Sequence, residues 1–189
     1  MAADLLATDE DLASLAQQDL DTASAILALE ICTAVVQAEA EQRIVRVVDD
    51  TVTVWGTTDR VLCLPEHPVV SVLSVTYNGT VLAAGAWRRC ASGLWRESGW
   101  SERTGEPGEV AVVYTHGLAV DDQKCQYGRG VVLGLARGLV TNPDGVQREQ
   151  IDDYAVAYAE AEAALTAAPE VGDRLRKLYG PPRSIRFIF

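Results

Sequence analysis

The side chains best suited to chemistry are two histidines, His67 and His116, and four cysteines. His116 stands in Tyr114-Thr115-His116-Gly117, with Asp121 and Asp122 a few residues on. An imidazole oriented by a carboxylate is the arrangement of a general base. This stretch therefore carries the one enzymatic reading, a small cytoplasmic enzyme or ligand-binding domain using His116. Such an enzyme also needs a nucleophile or a metal. The chain contains no G-x-S-x-G elbow, no G-x-x-x-x-G-K-S/T phosphate loop and no H-E-x-x-H ligand pair. His67 lies between Pro65 and Pro68 in a turn. His116 reads more simply as a structural residue at a strand end, with Gly117 turning the chain into the next helix. No catalytic, cofactor or metal site is expected.

Cys32, Cys63, Cys90 and Cys125 are about thirty residues apart and make none of the close C-x2-C pairs of zinc sites. They read as free, buried thiols in a chain made and folded in a reducing cytoplasm. Residues 1–7 have no basic flank and acids follow at once, unlike a signal peptide. The sequence leads to the expectation that no apolar run approaches the roughly 20 residues of a bilayer span, and hence of no membrane partner.

The formal net charge of -11 opposes wrapping duplex DNA, whose binding proteins concentrate Lys and Arg. Residues 1–50 hold eleven acids against Arg43 and Arg46, a balance of -9. Residues 171–189 hold five basic side chains against Asp173, a balance of +4. Tryptophans 55, 87, 95 and 100 could stack on bases, but with no basic track beside them core or interface packing is the better reading.

The elements that must position these residues follow from period and punctuation. Thr8 and Asp11 form a capping-box variant for a short helix to about residue 18, and Asp21 caps a longer helix to about Arg43. That second helix has two apolar stripes, one of Leu27, Ile31, Ala34, Val35 and Ala38 and one of Ile26, Leu29, Cys32 and Val36. A helix apolar on two sides must be covered on two sides, and a neighbouring subunit is an economical second cover. Ile31 and Val35 are the candidate contacts.

From Val45 the period becomes two, with further strand candidates at 60–64 and 69–77, a hairpin turn at Asn78-Gly79, and a strand at 110–114. Residues 92–109, with Gly93, Gly99, Gly105, Pro107, Gly108, Trp95 and Trp100, read as a long surface loop whose tryptophans meet a subunit or partner.

A helix over about 121–140 follows. Its Gly130, Gly134 and Gly138 each cost about 1 kcal/mol against Ala, so their stripe implies a backbone passing close by. Asn142-Pro143-Asp144-Gly145 ends it, residues 146–158 read either as an extended arm or as helix, and 159–164 is helix-prone. Thr166 caps a last short basic helix with Pro169 in its first turn and Gly180 as its stop.

Residues 181–189 then form an extended tail. Ile185, Phe187 and Phe189 alternate with Ser184, Arg186 and Ile188 at the period of a strand, and both phenylalanines of the chain are here. The expected role is docking, by strand addition to a partner's sheet edge, through Arg183, Ile185, Arg186, Phe187, Ile188 and Phe189; the alternative is that the tail folds back to cap the subunit's own core.

The order of phrases resembles the head-to-tail connector family of tailed bacteriophages, also called adaptor or head-completion proteins. The phrases are an acidic helical start, Leu64-Pro65-Glu66-His67-Pro68-Val69-Val70-Ser71-Val72, a tryptophan-containing stretch, and Val112-Val113-Tyr114-Thr115-His116-Gly117-Leu118 leading into an Ala- and Gly-rich helix. Tyr154-Ala155-Val156-Ala157-Tyr158, Leu165-Thr166 and a short basic helix complete it. The tail beyond Gly180 departs from many relatives. The resemblance implies an α+β fold with a mainly helical framework, a helical bundle, carrying a small inserted antiparallel β subdomain and an extended C-terminal tail.

The organisation would be a helical part over 1–44, a β-rich insert over 45–120, a second helical part over 121–180 and the tail over 181–189. The resemblance also implies a non-enzymatic virion subunit at the head-tail neck, made in the host cytoplasm. It would assemble with itself in a dodecameric ring, bind the portal protein through the tail and also bind tail-side neck proteins such as the stopper, and let genomic DNA pass without specific binding. Other neck proteins, the stopper or tail terminator, are the near alternatives.

Overall fold

A computed structural model describes residues 5–90, 93–101, 107–141 and 152–179. The chain splits into two compact units, one holding the helices and one, Arg46–Gly117, holding the strands.

The helical unit begins with α1 (Asp9–Ala16) and α2 (Thr22–Ala40). Thr8 accepts from the Asp11 N–H at 3.3 Å while the Asp11 carboxylate accepts from the Thr8 N–H at 3.0 Å, so two orphan donors of the first turn are satisfied reciprocally. Asp21 caps α2 by accepting from the Ser24 N–H at 2.9 Å. Residue Glu41, in the left-handed region, ends α2 at Ala40, earlier than its apolar pattern implied. On α2, Leu29, Cys32 and Val36 are fully buried and Ile31 is 1% exposed, whereas Ile26 and Leu27 are exposed. Burial pushes the Cys32 thiol up to about 12, the behaviour of an inert core cysteine. Residues 22–40 are long and apolar enough, by length and composition, to cross a membrane, which corrects the expectation of no such run. Its buried face, however, packs on α1 and on the three later helices, as a core helix does.

Those helices are α3 (Gln123–Thr141), α4 (Asp152–Thr166) and α5 (Pro169–Tyr179). Thr166 belongs to α4, where its hydroxyl donates to the Glu162 carbonyl at 2.8 Å, so it does not cap α5. Instead α5 opens on Pro169, whose missing N–H is no loss in a first turn. The Tyr179 hydroxyl, buried at the end of α5, accepts from the Gly128 N–H at 3.0 Å and donates to the Lys124 carbonyl. Gly128 and Lys124 are four apart on α3, so the hydroxyl enters the helix ladder itself. Burial pushes the phenol up to about 12, keeping it neutral. Tyr179→Phe is expected to cost about 1 kcal/mol, since the ladder bond can reform behind it, and urea unfolding reads this.

Arg129 of α3 contacts the Asp11 carboxylate at 2.5 Å, and this hydrogen bond, followed by that to Thr8, holds the Asp11 pKa below its ordinary value. A carboxylate depressed in the folded state contributes stability above its unfolded pKa of about 3.9 and loses it as pH falls through the folded value. The pair is near the surface, so Arg129→Gln should cost only about 0.5 kcal/mol at pH 7. That difference between variant and wild type should vanish in melts run below the usual aspartate range.

The strand unit contains two antiparallel sheets. The larger has the order β1-β7-β3-β4, built from β1 (Val47–Gly56), β3 (Val69–Tyr77), β4 (Thr80–Val81) and β7 (Gly108–His116). The smaller has the order β2-β6-β5, from β2 (Val61–Cys63), β5 (Arg88–Cys90) and β6 (Gly93–Trp95). Asn78 and Gly79, both at positive φ, make the tight turn between β3 and β4. Leu62, Leu94, Val75, Tyr77, Val110, Val112, Tyr114 and Trp100 form this unit's own core. Gly56 and Gly108 are register partners, and a Cβ on either would lie 2.3 or 2.4 Å from the Trp100 carbonyl oxygen. Only a pair of glycines lets that backbone lie on the sheet.

The expected mainly helical framework, a helical bundle with a small β insert, is therefore corrected. The described residues form five helices and two antiparallel sheets with a core of their own, and a bundle framework is not evident. Strands β2, β5 and β6 are three residues each, too short to show a period of two, so the sequence understates the β part.

Candidate functional site

Two places gather the residues singled out by type and spacing. The first is His116, the last residue of β7, fully buried and paired in register with Val47 on one side and Val69 on the other. Its Nε2 lies 3.1 Å from Oδ2 of Asp50, and its ring centroid is 4.9 Å from that of Tyr114. The carboxylate beside it is thus Asp50, brought in by the irregular pairing between Val47 and Asp50. Asp121 and Asp122 instead precede α3 in the helical unit, where Asp122 accepts from the Lys124 N–H at 2.8 Å. Sequence proximity pointed to the wrong pair, since a strand partner 66 residues away is invisible along the chain. His67 is 9% exposed, and burial holds its pKa below the ordinary value. His116 is packed between β1 and β3 and fully buried, with no open face on which a substrate could meet it, and His67 lies in the turn between β2 and β3.

The second place is the outer side of α2. Ala34, Val35 and Ala38 floor a groove of about 600 Å³ whose far wall is Leu165 of α4 and Pro169 of α5. Its rim is polar: Glu39 and Arg176 pair across it at 2.6 Å, with Asp173 3.1 Å from the same guanidinium. Val35 is only partly covered here, whereas Ile31, the other expected contact, belongs to the unit's own core.

The remaining candidates separate. Trp100 is fully buried, its Nε1 donating to the Arg60 carbonyl at 3.1 Å, so it is a core residue of the strand unit. Trp95 is partly exposed on β6 with the Arg88 guanidinium 5.9 Å from its ring centroid. The 92–109 stretch is not one long loop, because 93–95 is strand and Gly108 already begins β7; residues 92 and 102–106 lie outside the described residues. The tail contacts, Arg183, Ile185, Arg186, Phe187, Ile188 and Phe189, also lie outside them. Gly130, Gly134 and Gly138 have nothing within 4 Å of a built Cβ, so among the described residues no backbone passes close to that stripe.

Trp55, expected in core or interface packing, is not in the core: it is 63% exposed on the outward face of β1. The signal was present in the alternation of Thr51, Thr53 and Trp55. No metal-holding group of three or more His, Cys, Asp or Glu side chains occurs among the described residues. No protein-family model and no curated protein matches the chain.

Proposed function

We propose that this chain is a structural adaptor subunit of a tailed-phage neck, assembling as a ring, dodecameric by the resemblance, between the capsid portal and the tail-side proteins. The observation that carries the reading is the uncovered second side of α2. Leu27 is 42% exposed, and Val35 with Ala34 and Ala38 floors an open groove. A soluble subunit would leave such an apolar strip in water only at a cost that a neighbour's surface removes. The ordered phrases around His67 and His116 support the same reading, and the burial of His116 gives the enzymatic alternative no accessible base. An acidic chain suits a channel through which DNA slides, because carboxylates do not grip phosphates.

The test is native mass measurement and electron microscopy of the full chain mixed with the portal protein of the genome that encodes it. The expected result is a ring of this protein on the portal, lost in Val35→Asp. Binding to the tail tube in place of the portal would favour a stopper or tail terminator. No association with any neck component would sink the reading.

A further inference from the structure

The four most exposed large apolar side chains among the described residues, Val48, Trp55, Leu73 and Val81, all belong to the larger sheet. They share its outward face. On β7, Val110, Val112 and Tyr114 are buried inward, so Ala111 and Val113 point outward, and the residues opposite them in register point outward too. Those partners are Thr51 and Ser74 beside Val113, and Thr53 and Thr76 beside Ala111. Val81 pairs with Thr76, and Trp55 stands at the β1 corner opposite Glu109. Val48 falls in the register shift of β1 and Leu73 in the second shift of β3, and their exposure turns both away from the core.

The chemistry of this face selects its occupant. In a chain of net charge -11 it carries only Glu109 at one end and Asp49 at the other, too few and too far apart to select a basic partner. Its remaining polar side chains are hydroxyls. A hydroxyl both donates and accepts, so each can pair with its own kind across a two-fold axis, as a carboxylate or an ammonium cannot. Two copies of an acidic chain also repel one another least where they carry least charge. We propose that this face is self-complementary, and that two copies of the chain pack sheet on sheet through it about a two-fold axis, with Trp55 the anchor of each.

At its widest, four strands about 4.8 Å apart and about seven residue steps of roughly 3.4 Å give a face of roughly 15 by 24 Å. With side-chain relief, two such faces bury on the order of 1,000 Å², the lower bound for a specific interface. The dimer is therefore weak and reversible, with a Kd of about 10–100 µM. The surface lies in the strand unit and shares no residue with the α2 groove, so it goes beyond the adaptor reading and stands without it.

The test is sedimentation equilibrium of the full chain alone, at about 1–500 µM. The mass of wild type should rise with concentration from monomer towards dimer and stop there. Thr53→Lys/Leu73→Lys sets four like charges into the paired faces and should weaken association at least about 100-fold, with circular dichroism unchanged because both side chains are exposed. Trp55→Ser adds no charge and should weaken it about 10-fold, which carries the test should the double variant fail to fold. Gln123→Lys, the same charge at an exposed site on α3, should associate as wild type does. A wild type that stays monomeric throughout overturns the proposal, and so do face variants that dimerise unchanged. Growth past the dimer overturns the two-fold pairing. The portal is in none of these samples, so failure of the adaptor reading would be seen separately.

Discussion

Trp100→Ala is expected to destabilise the strand unit by about 3–5 kcal/mol, the range for truncating a fully buried large aromatic. The side chain is 0% exposed, and its indole N–H is satisfied by the Arg60 carbonyl, so alanine would leave a cavity and lose that bond, while the carbonyl keeps the Arg96 N–H at 2.8 Å. The backbone there is held as well. The Trp100 N–H donates to the Thr57 carbonyl at 2.8 Å, and its carbonyl rests against Gly56 and Gly108. The Arg96 guanidinium, 4.5 Å from the Tyr77 ring centroid and 5.8 Å from that of Trp100, covers the same corner. Trp100→Phe keeps most of the volume and loses the hydrogen bond, so it should fall between wild type and alanine. Trp95→Ala, on a partly exposed ring, should stay within about 1 kcal/mol of wild type. Guanidinium unfolding followed by near-UV circular dichroism gives all three. A cost under about 1 kcal/mol for Trp100→Ala would return this tryptophan to the surface.

That contrast shows where the sequence was legible. Caps and turns could be read because they are local: Thr8 with Asp11, Asp21, and Asn78-Gly79 each act within a few residues. Long strands showed through alternation, as in residues 69–77. What could not be read were pairings across the chain. Gly56 opposite Gly108, Gly93 between Cys63 and Cys90, and Asp50 beside His116 depend on register, which a single sequence does not state. Gly99 and Gly108 therefore looked like loop residues although Gly108 lies against the Trp100 carbonyl and Gly99 against that of Thr58. The glycines of α3 misled in the opposite direction. Their spacing implied a crossing backbone, yet a period of four says only that they share a face, not that the face is covered.

Ile31→Asp is expected to cost more than about 4 kcal/mol and to leave the helical unit largely unfolded at room temperature, because a carboxylate there enters an apolar setting with no partner. Ile31 is 1% exposed, in a cluster with Leu29, Cys32, Val36, Val132, Ala136 and Leu175. Val35, one turn further on, was expected to behave like it, and the structure separates them. Its side chain lines the groove, where an aspartate can turn into water, so Val35→Asp should cost about 1 kcal/mol. Thermal melts at 222 nm distinguish the two, with Ile31→Val as the conservative control expected at about 0.5–1.5 kcal/mol. The pair also separates fold from assembly. A chain with aspartate at 35 that melts like wild type but no longer associates would place the contact on the groove side of α2, since its own core is untouched. If Val35→Asp unfolds as Ile31→Asp does, the groove is closed in solution by the protein itself, and the open side of α2 no longer argues for a neighbour.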